Sequence, residues 1–177
     1  MIALVLDTET TGLIDNPARR LALQPEIISY ASVNINTSEN LLFGEYYRIF
    51  QPTKSINEEI TKITGFTNEY LNNFHFIVDD IDEIVDQIQN ASCIIGHNIK
   101  FDMNMIELEC QRHGKTINWP QNIDLVQNSI YLQGYRLTLT DLHLKLFGTT
   151  FQSAHRADVD VQMTAKCALE MFKLGML

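Results

Sequence analysis

Apolar and polar positions change period several times along the chain, and the changes mark its elements. Ile2 to Leu6 is an unbroken apolar run that meets Asp7, Thr8, Glu9, Thr10, Thr11 and Gly12. A short apolar run closed by turn residues predicts a strand buried on both faces. Leu13 to Pro25, with Asp15-Asn16-Pro17 and Arg19-Arg20, reads as a loop. β-Branched residues recur over Glu26 to Asn36, and Leu41 to Phe50 follows after the polar turn Asn36 to Asn40. The first third is therefore three meandering strands.

Helical spacing takes over beyond Gln51-Pro52. A helix is expected over Asn57 to Thr64, with Asn57 or Ser55 as cap, Glu58 and Glu59 near its positive end, and Gly65 at its stop. Asn68 to Asn72 forms a short turn. Ile81, Ile84, Val85 and Ile88 share one helical face, so Asp79 to Asn90 is amphipathic and its acidic residues are the solvated side. Ser92 to His97 reads as a second buried strand. Asn98 then caps a helix to about His113, closed by Gly114. Further helices are expected over Asn122 to Leu132, over Thr138 to Phe147, and from near Ala157 to Gly175. His143, between Leu142 and Leu144, reads as structural. No repeat or linker interrupts the 177 residues, which predicts a single domain, 1–177.

Composition narrows the classes. Apolar content of 45% and charged content of 20% are those of an ordinary globular protein. No apolar run is long enough to span a membrane, and the start carries no secretion signal. Cys93, Cys110 and Cys167 are widely spaced and odd in number, which reads as reduced core thiols in a cytoplasmic protein. A net charge of −9 argues against a broad basic face for tight duplex binding. It leaves room for a small cleft that grips a strand end through metal ions. Arg19 and Arg20 read as solvated loop charges before phosphate ligands.

The chemistry concentrates in acids. Side chains alternate along a strand, so Asp7 and Glu9 share a side with Thr8 opposite. Two carboxylates at a buried strand end repel each other and lose hydration, which calls for a cation between them. The bland alternative has Asp7 capping a turn and Glu9 in water. Thr10, Thr11 and Gly12 turn the chain and let a ligand approach its backbone. Asp102 falls in the early turns of one predicted helix and Asp160 in those of another, where amide dipoles favour a carboxylate. Asp158 is a rival to Asp160, but points about 200° away on a helix. His155 precedes the last helix. Oxygen-rich clusters select Mg²⁺ or Mn²⁺ over zinc. Two such ions about 4 Å apart clamp the attacking and leaving oxygens of a phosphodiester, and a neutral His can take the proton of the attacking water.

Three pieces carry a family resemblance. Leu-Asp-Thr-Glu-Thr-Thr-Gly-Leu (6–13), Ile-Gly-His-Asn-Ile-Lys-Phe-Asp (95–102) and His-Arg-Ala-Asp-Val-Asp (155–160) resemble, in order, the motifs of the DEDDh exonucleases. That family includes the epsilon proofreading subunit of bacterial DNA polymerase III. The resemblance implies a ribonuclease H-like α/β fold, a mixed five-stranded sheet flanked by helices, and 3′→5′ exonuclease activity with two Mg²⁺ or Mn²⁺ ions. It makes Asp7, Glu9 and Asp160 the ligands of one ion. Asp7 also touches the second, which Asp102 helps position, and His155 matches the general base. Thr10, Thr11 and Gly12 match the turn against the terminal nucleotide. Phe101 matches an aromatic residue bordering it, and Asn98 supports the strand-to-helix turn. One departure stands out. Thr64, in Ile63-Thr64-Gly65-Phe66-Thr67, occupies a position where the family commonly has His, which leaves Ile63 as an apolar wall.

The resemblance implies a single-stranded or frayed 3′ end as substrate. Oligoribonuclease-like members tend to carry Met where this chain has Thr10, which tilts the reading from RNA to DNA. An acidic chain needs help to hold DNA, so a polymerase subunit is an expected partner, although the chain ends at Leu177 with no obvious docking segment. A haloacid-dehalogenase phosphatase would need a second Asp at Glu9 and a later Gly-Asp-x-x-x-Asp. A scaffolding module that keeps the fold alone would not need all five catalytic positions filled.

Overall fold

In a computed structural model, residues 1–14, 16, 20–151 and 156–177 are described. Asp15, Pro17 and Arg19 of the first loop lie outside them, as does His155. The described residues form a five-stranded mixed sheet: β1 (Ile2–Thr10), β2 (Ile27–Asn36), β3 (Leu41–Ile49), β4 (Cys93–Gly96) and β5 (Gln121–Asp124). The strand order is β3-β2-β1-β4-β5. β1 lies in the middle, antiparallel to β2 and parallel to β4, while β2 and β3 pair antiparallel and β4 and β5 parallel. Its carboxyl end thus lies where the sheet changes from antiparallel to parallel, the kind of place where α/β sheets collect ligands.

Strand alternation splits the core into two layers. Ala3 and Val5 of β1 point into a cluster with Val161, Ala165 and Ala168 of α7 (Ala157–Lys173). Leu4 and Leu6 point the other way, against Ile84 and Ile88 of α3 (Ile81–Asn90) and Met105 and Ile106 of α4 (Ile99–Arg112). Every residue from Ala3 to Leu6 is at most 3% exposed, as expected of a strand covered on both faces. A third, small cluster joins Ile28 to Ile56, Phe66 and Leu71 beneath α1 (Glu58–Thr64) and α2 (Asn68–Leu71).

The helix ends follow local chemistry. Asn57 accepts the Ile60 N–H and opens α1, and Gly65, at φ +76°, closes it. Thr138 accepts the Asp141 N–H and opens α6 (Leu139–Phe147), which ends at Gly148 in the left-handed region. His143 is buried there and donates from Nδ1 to the Thr149 carbonyl at 2.7 Å. The three cysteines are buried and free. Among the described residues no helix is long and apolar enough to cross a membrane.

Five expectations need correction. Asn122 to Leu132 is not one helix: Gln121–Asp124 is β5, and Asp124 then caps α5 (Leu125–Gln133). Ile123 is the single apolar residue of that strand, so its conformation comes from pairing with β4 and not from its own pattern. The helix expected from Asp79 is broken, with a 3₁₀ turn at Ile77–Asp79 and α3 starting at Ile81. A second 3₁₀ turn, Leu21–Leu23, lies within the expected loop, and the short turn at Asn68 is a helical turn capped by Thr67. Asn98 precedes α4 but its side chain does not cap it. The backbone there is left-handed, φ +70°, and its N–H donates to Asp124 Oδ1 at 2.9 Å.

Candidate active site at the carboxyl end of the central strand

The alternation that sorts the core also sorts the acids. Asp7 and Glu9 continue the side of β1 that carries Ala3 and Val5, and α7 brings Asp160 to that side from its first turn. One carboxylate oxygen from each of Asp7, Glu9 and Asp160 lies within 4.8 Å of the others. Asp102 arrives from α4, on the Thr8 side, and is 3% exposed. Its Oδ1 accepts the Thr8 N–H at 2.9 Å and the Thr8 hydroxyl at 2.7 Å. Three acids therefore form a tight oxygen group, and the fourth is held beside it by the residue between the first two.

Charge behaves as this crowding demands. Burial pushes the Asp7 carboxyl well above its usual range, and the charges of Asp102, Glu9 and Asp160 push it further. Glu9 is raised to about 8 by burial first, then by Asp160 and Asp102. Burial raises Asp102 to about 7 against the two Thr8 hydrogen bonds, which favour its ionised form. Among the described residues no Lys or Arg forms an ion pair with Asp7, Glu9 or Asp102. Converging, half-buried carboxylate oxygens, with Asp7 and Glu9 given no Lys or Arg partner among the described residues, fit a hard divalent ion. Asp158 is not in this group; it pairs with Arg156 at 2.8 Å.

A cleft of about 640 Å³ opens beside Glu9. Thr10, Thr11, Gly12, Ile63 and Phe101 all line it, with Thr64. The register of β1 against β2 shifts between Glu9 and Thr10, an irregularity of the kind that re-aims side chains at strand ends. Thr11 then ties the turn down: its N–H donates to the Glu26 carbonyl at 2.8 Å, and its hydroxyl accepts the Glu26 N–H at 2.9 Å. A side chain at Gly12 would meet nothing within 4 Å, so local crowding does not require glycine there. Thr64, where His was the comparison, is buried; its hydroxyl donates to the Ile60 carbonyl at 2.9 Å and accepts the Phe66 N–H. Ile63 is 43% exposed and supplies the apolar edge of that wall.

Asn98 is exposed and borders a neighbouring depression with Leu13, Lys100, Phe101 and Asn104 instead of the main cleft. His155 lies outside the described residues. The sequence pattern assigns no role to Thr8, Asp124 or Lys54. Asp124 Oδ1 accepts both the Asn98 and Val126 N–H groups, joining the starts of α4 and α5. An Asp directly before Leu125-Val126 was a readable cap signal. Nothing local marked Lys54, which reaches the cleft from the segment after β3.

Comparison with known proteins bears on the fold and on the family. The nuclease domain of 3′hExo, a DEDDh family member bound to rAMP, superposes with a TM-score of 0.79 at 16% identity, covering 99% of this chain and 93% of that one. This likeness shows the fold, which is ribonuclease H-like. The 3′-5′ exonuclease DinG of Bacillus subtilis (strain 168) is 27% identical over 176 residues, and DNA polymerase III subunit epsilon of Buchnera aphidicola subsp. Acyrthosiphon pisum (strain APS) is 30% identical over 115. These cover 96% and 64% of this chain, which spans 17% and 46% of the two relatives. The RNase T family model, described as Exonuclease, matches residues 4–168, a span that takes in Asp7, Glu9, Asp102, Asp160 and the cleft turn just described. The chain therefore belongs to the RNase T family of exonucleases.

Proposed function

We propose that this chain is a metal-dependent 3′→5′ exonuclease that releases nucleoside monophosphates from single-stranded or frayed DNA ends. The observation that carries the reading is the convergence of Asp7, Glu9 and Asp160 within 4.8 Å, beside a cleft that Glu9 lines. Asp7, Glu9 and Asp160 would hold one Mg²⁺ or Mn²⁺ ion and Asp7 with Asp102 a second, and such a pair stabilises the charge on the attacking and leaving oxygens of a phosphodiester. Thr8 keeps the Asp102 carboxylate in place through its two hydrogen bonds. The Thr10-Thr11-Gly12 turn receives the terminal nucleotide, Ile63 and Phe101 border it, and Asn98 sets the start of the helix that carries Phe101. His155 accepts the proton of the attacking water; its support is its place in the third motif.

Preference for DNA is supported by Thr10 after Glu9 and by relatives named for DNA polymerase III. The same reading takes residues 1–177 as one exonuclease domain in the cytoplasm, proofreading beside a polymerase subunit. The net charge of −9 supports that dependence on a partner, since an acidic surface repels DNA. Purified protein is to be incubated with Mg²⁺ or Mn²⁺ and matched, labelled DNA and RNA oligomers. Mononucleotides should leave the 3′ end, faster from DNA, and not with Asp7→Asn. His155→Gln should lower kcat by about 10²- to 10⁴-fold. Wild-type release no greater than that of Asp7→Asn would overturn the reading, and faster release from RNA would reassign the substrate.

A further inference from the structure

We propose that Lys54 binds a backbone phosphate of the substrate strand and fixes how that strand lies in the cleft. The inference rests on the exonuclease reading above and names a residue that neither the motifs nor the family match assigns. Lys54 is the sole Lys or Arg among the described residues lining the cleft, whose other charged lining residues are Glu9 and Glu59. A bound single strand brings a negative charge with every nucleotide into that acidic setting. Ions at the carboxylate group would answer the charge of the bond being cut. The phosphates beyond it need a cation from the protein.

The placement of Lys54 is built. The Thr53 N–H and hydroxyl both donate to the Glu26 carboxylate. Glu26 is also the residue that pins Thr11, by exchanging hydrogen bonds with its N–H and hydroxyl. One buried residue therefore ties the turn assigned to the terminal nucleotide to the segment bearing the lysine. The Lys54 ammonium donates to the Ala22 carbonyl, in the 3₁₀ turn whose Leu23 is another wall of the cleft. That contact uses one of three ammonium donors and leaves two for phosphate oxygens. Lys54 is exposed, so the contact costs little desolvation and its loss leaves the fold intact.

The test is the salt dependence of binding. A phosphate contact releases counterions, so each one lost lowers the slope of log Kd against log salt by about 0.7 for a single strand. Fluorescence anisotropy with an oligothymidylate whose terminal linkage resists hydrolysis reads that slope. The slope should fall by about 0.7 for Lys54→Gln and hold for Lys54→Arg. With cleavable oligomer, KM should rise for Lys54→Gln while kcat stays within about twofold, the signature of lost uniform binding. If Lys54 merely braced Ala22, affinity would drop equally at every salt concentration and the slope would not move; that result overturns the proposal. Wild type that cuts normally with an unmoved slope in Lys54→Gln refutes Lys54 alone. Wild type that binds with a Lys54-dependent slope but releases no nucleotide refutes the exonuclease reading and leaves the phosphate contact standing.

Discussion

The two ends of α4 carry buried carboxylates that are built into the molecule in opposite ways. Glu109, near the end of α4, is 1% exposed. Arg112 pairs with it at 2.7 Å, and the Ile27 N–H donates to the same oxygen at 3.0 Å. The Arg112 guanidinium also donates to the Gln24 and Pro25 carbonyls at 3.0 and 2.7 Å, hanging the Leu21–Pro25 wall of the cleft from α4. This acid carries its cation with it, so its charge is spent on structure. At the other end of the same helix, Asp102 joins Asp7 and Glu9, and no Lys or Arg among the described residues pairs with any of them. Among the described residues Glu109 has an internal cation and Asp7, Glu9 and Asp102 have none, which leaves those three charges for something from outside. Burial of an acid alone does not mark function; burial without an internal counter-charge does.

The largest expected effect breaks the metal-facing set. Asp7→Asn should lower exonuclease activity by about 10³-fold or more. It should also raise the melting temperature of the metal-free protein, because an amide relieves the repulsion among the acids. Calorimetry with and without Mn²⁺ checks both halves, since wild type should gain stability from the ion and the variant should not. A variant melting below wild type in the absence of metal would contradict the contrast.

Breaking the self-compensated set should act on stability instead. Arg112→Met strands the Glu109 carboxylate and should cost about 3–5 kcal/mol in denaturant unfolding. Glu109→Gln with Arg112→Met should recover much of that loss, because no unpaired charge then remains. The divalent-ion affinity of the refolded variants should stay that of wild type.

The pH dependence sharpens the contrast further. Glu9 is raised from 4.5 to about 8 and Asp102 from 3.8 to about 7. A folded-state value above the unfolded one means that the folded protein holds its proton more tightly. The stability from this source is full below about pH 4, falls as pH rises through the folded-state values, and is gone above about pH 8. Metal-free protein should therefore melt at steadily lower temperature from pH 5 to 8, and Mg²⁺ should flatten that decline. A metal-free melting temperature that climbs over the same range would contradict it.

The smallest effects separate two glycines. A Cβ at Gly96 would sit 2.7 Å from Ile99 Cδ1, so Gly96→Ala should destabilise by about 1–3 kcal/mol. Gly12→Ala meets nothing and should change stability by about 0.5 kcal/mol or less, while raising KM by narrowing the cleft. Denaturant midpoints and steady-state kinetics on the two variants distinguish a glycine needed for packing from one left open for a ligand.

What could be read before the structure was what the chain writes locally. The run Ile2 to Leu6 followed by two acids on one side gave β1 and the Asp7–Glu9 pair, because strand alternation is a nearest-neighbour property. Asn57 with Gly65, and Thr138 with Gly148, gave the ends of α1 and α6 for the same reason. What stayed hidden is held by distant partners. β5 is a strand because β4 lies beside it. Asn98 takes a left-handed backbone with its N–H bound to Asp124, 26 residues on. Thr8 meets Asp102 across 94 residues, so no local pattern could assign its hydroxyl a task. Lys54 lines the cleft next to Thr53, which Glu26 joins to Thr11 from 27 residues away.

The most direct measurement is anomalous diffraction from a crystal soaked in Mn²⁺ and a nucleoside monophosphate. One manganese peak should lie among the carboxylates of Asp7, Glu9 and Asp160, and a second between Asp7 and Asp102, with the nucleotide against Thr10 to Gly12. Manganese bound only at exposed surface acids such as Asp82, with nothing at Asp7, would contradict the central claim that these carboxylates converge to hold a cation.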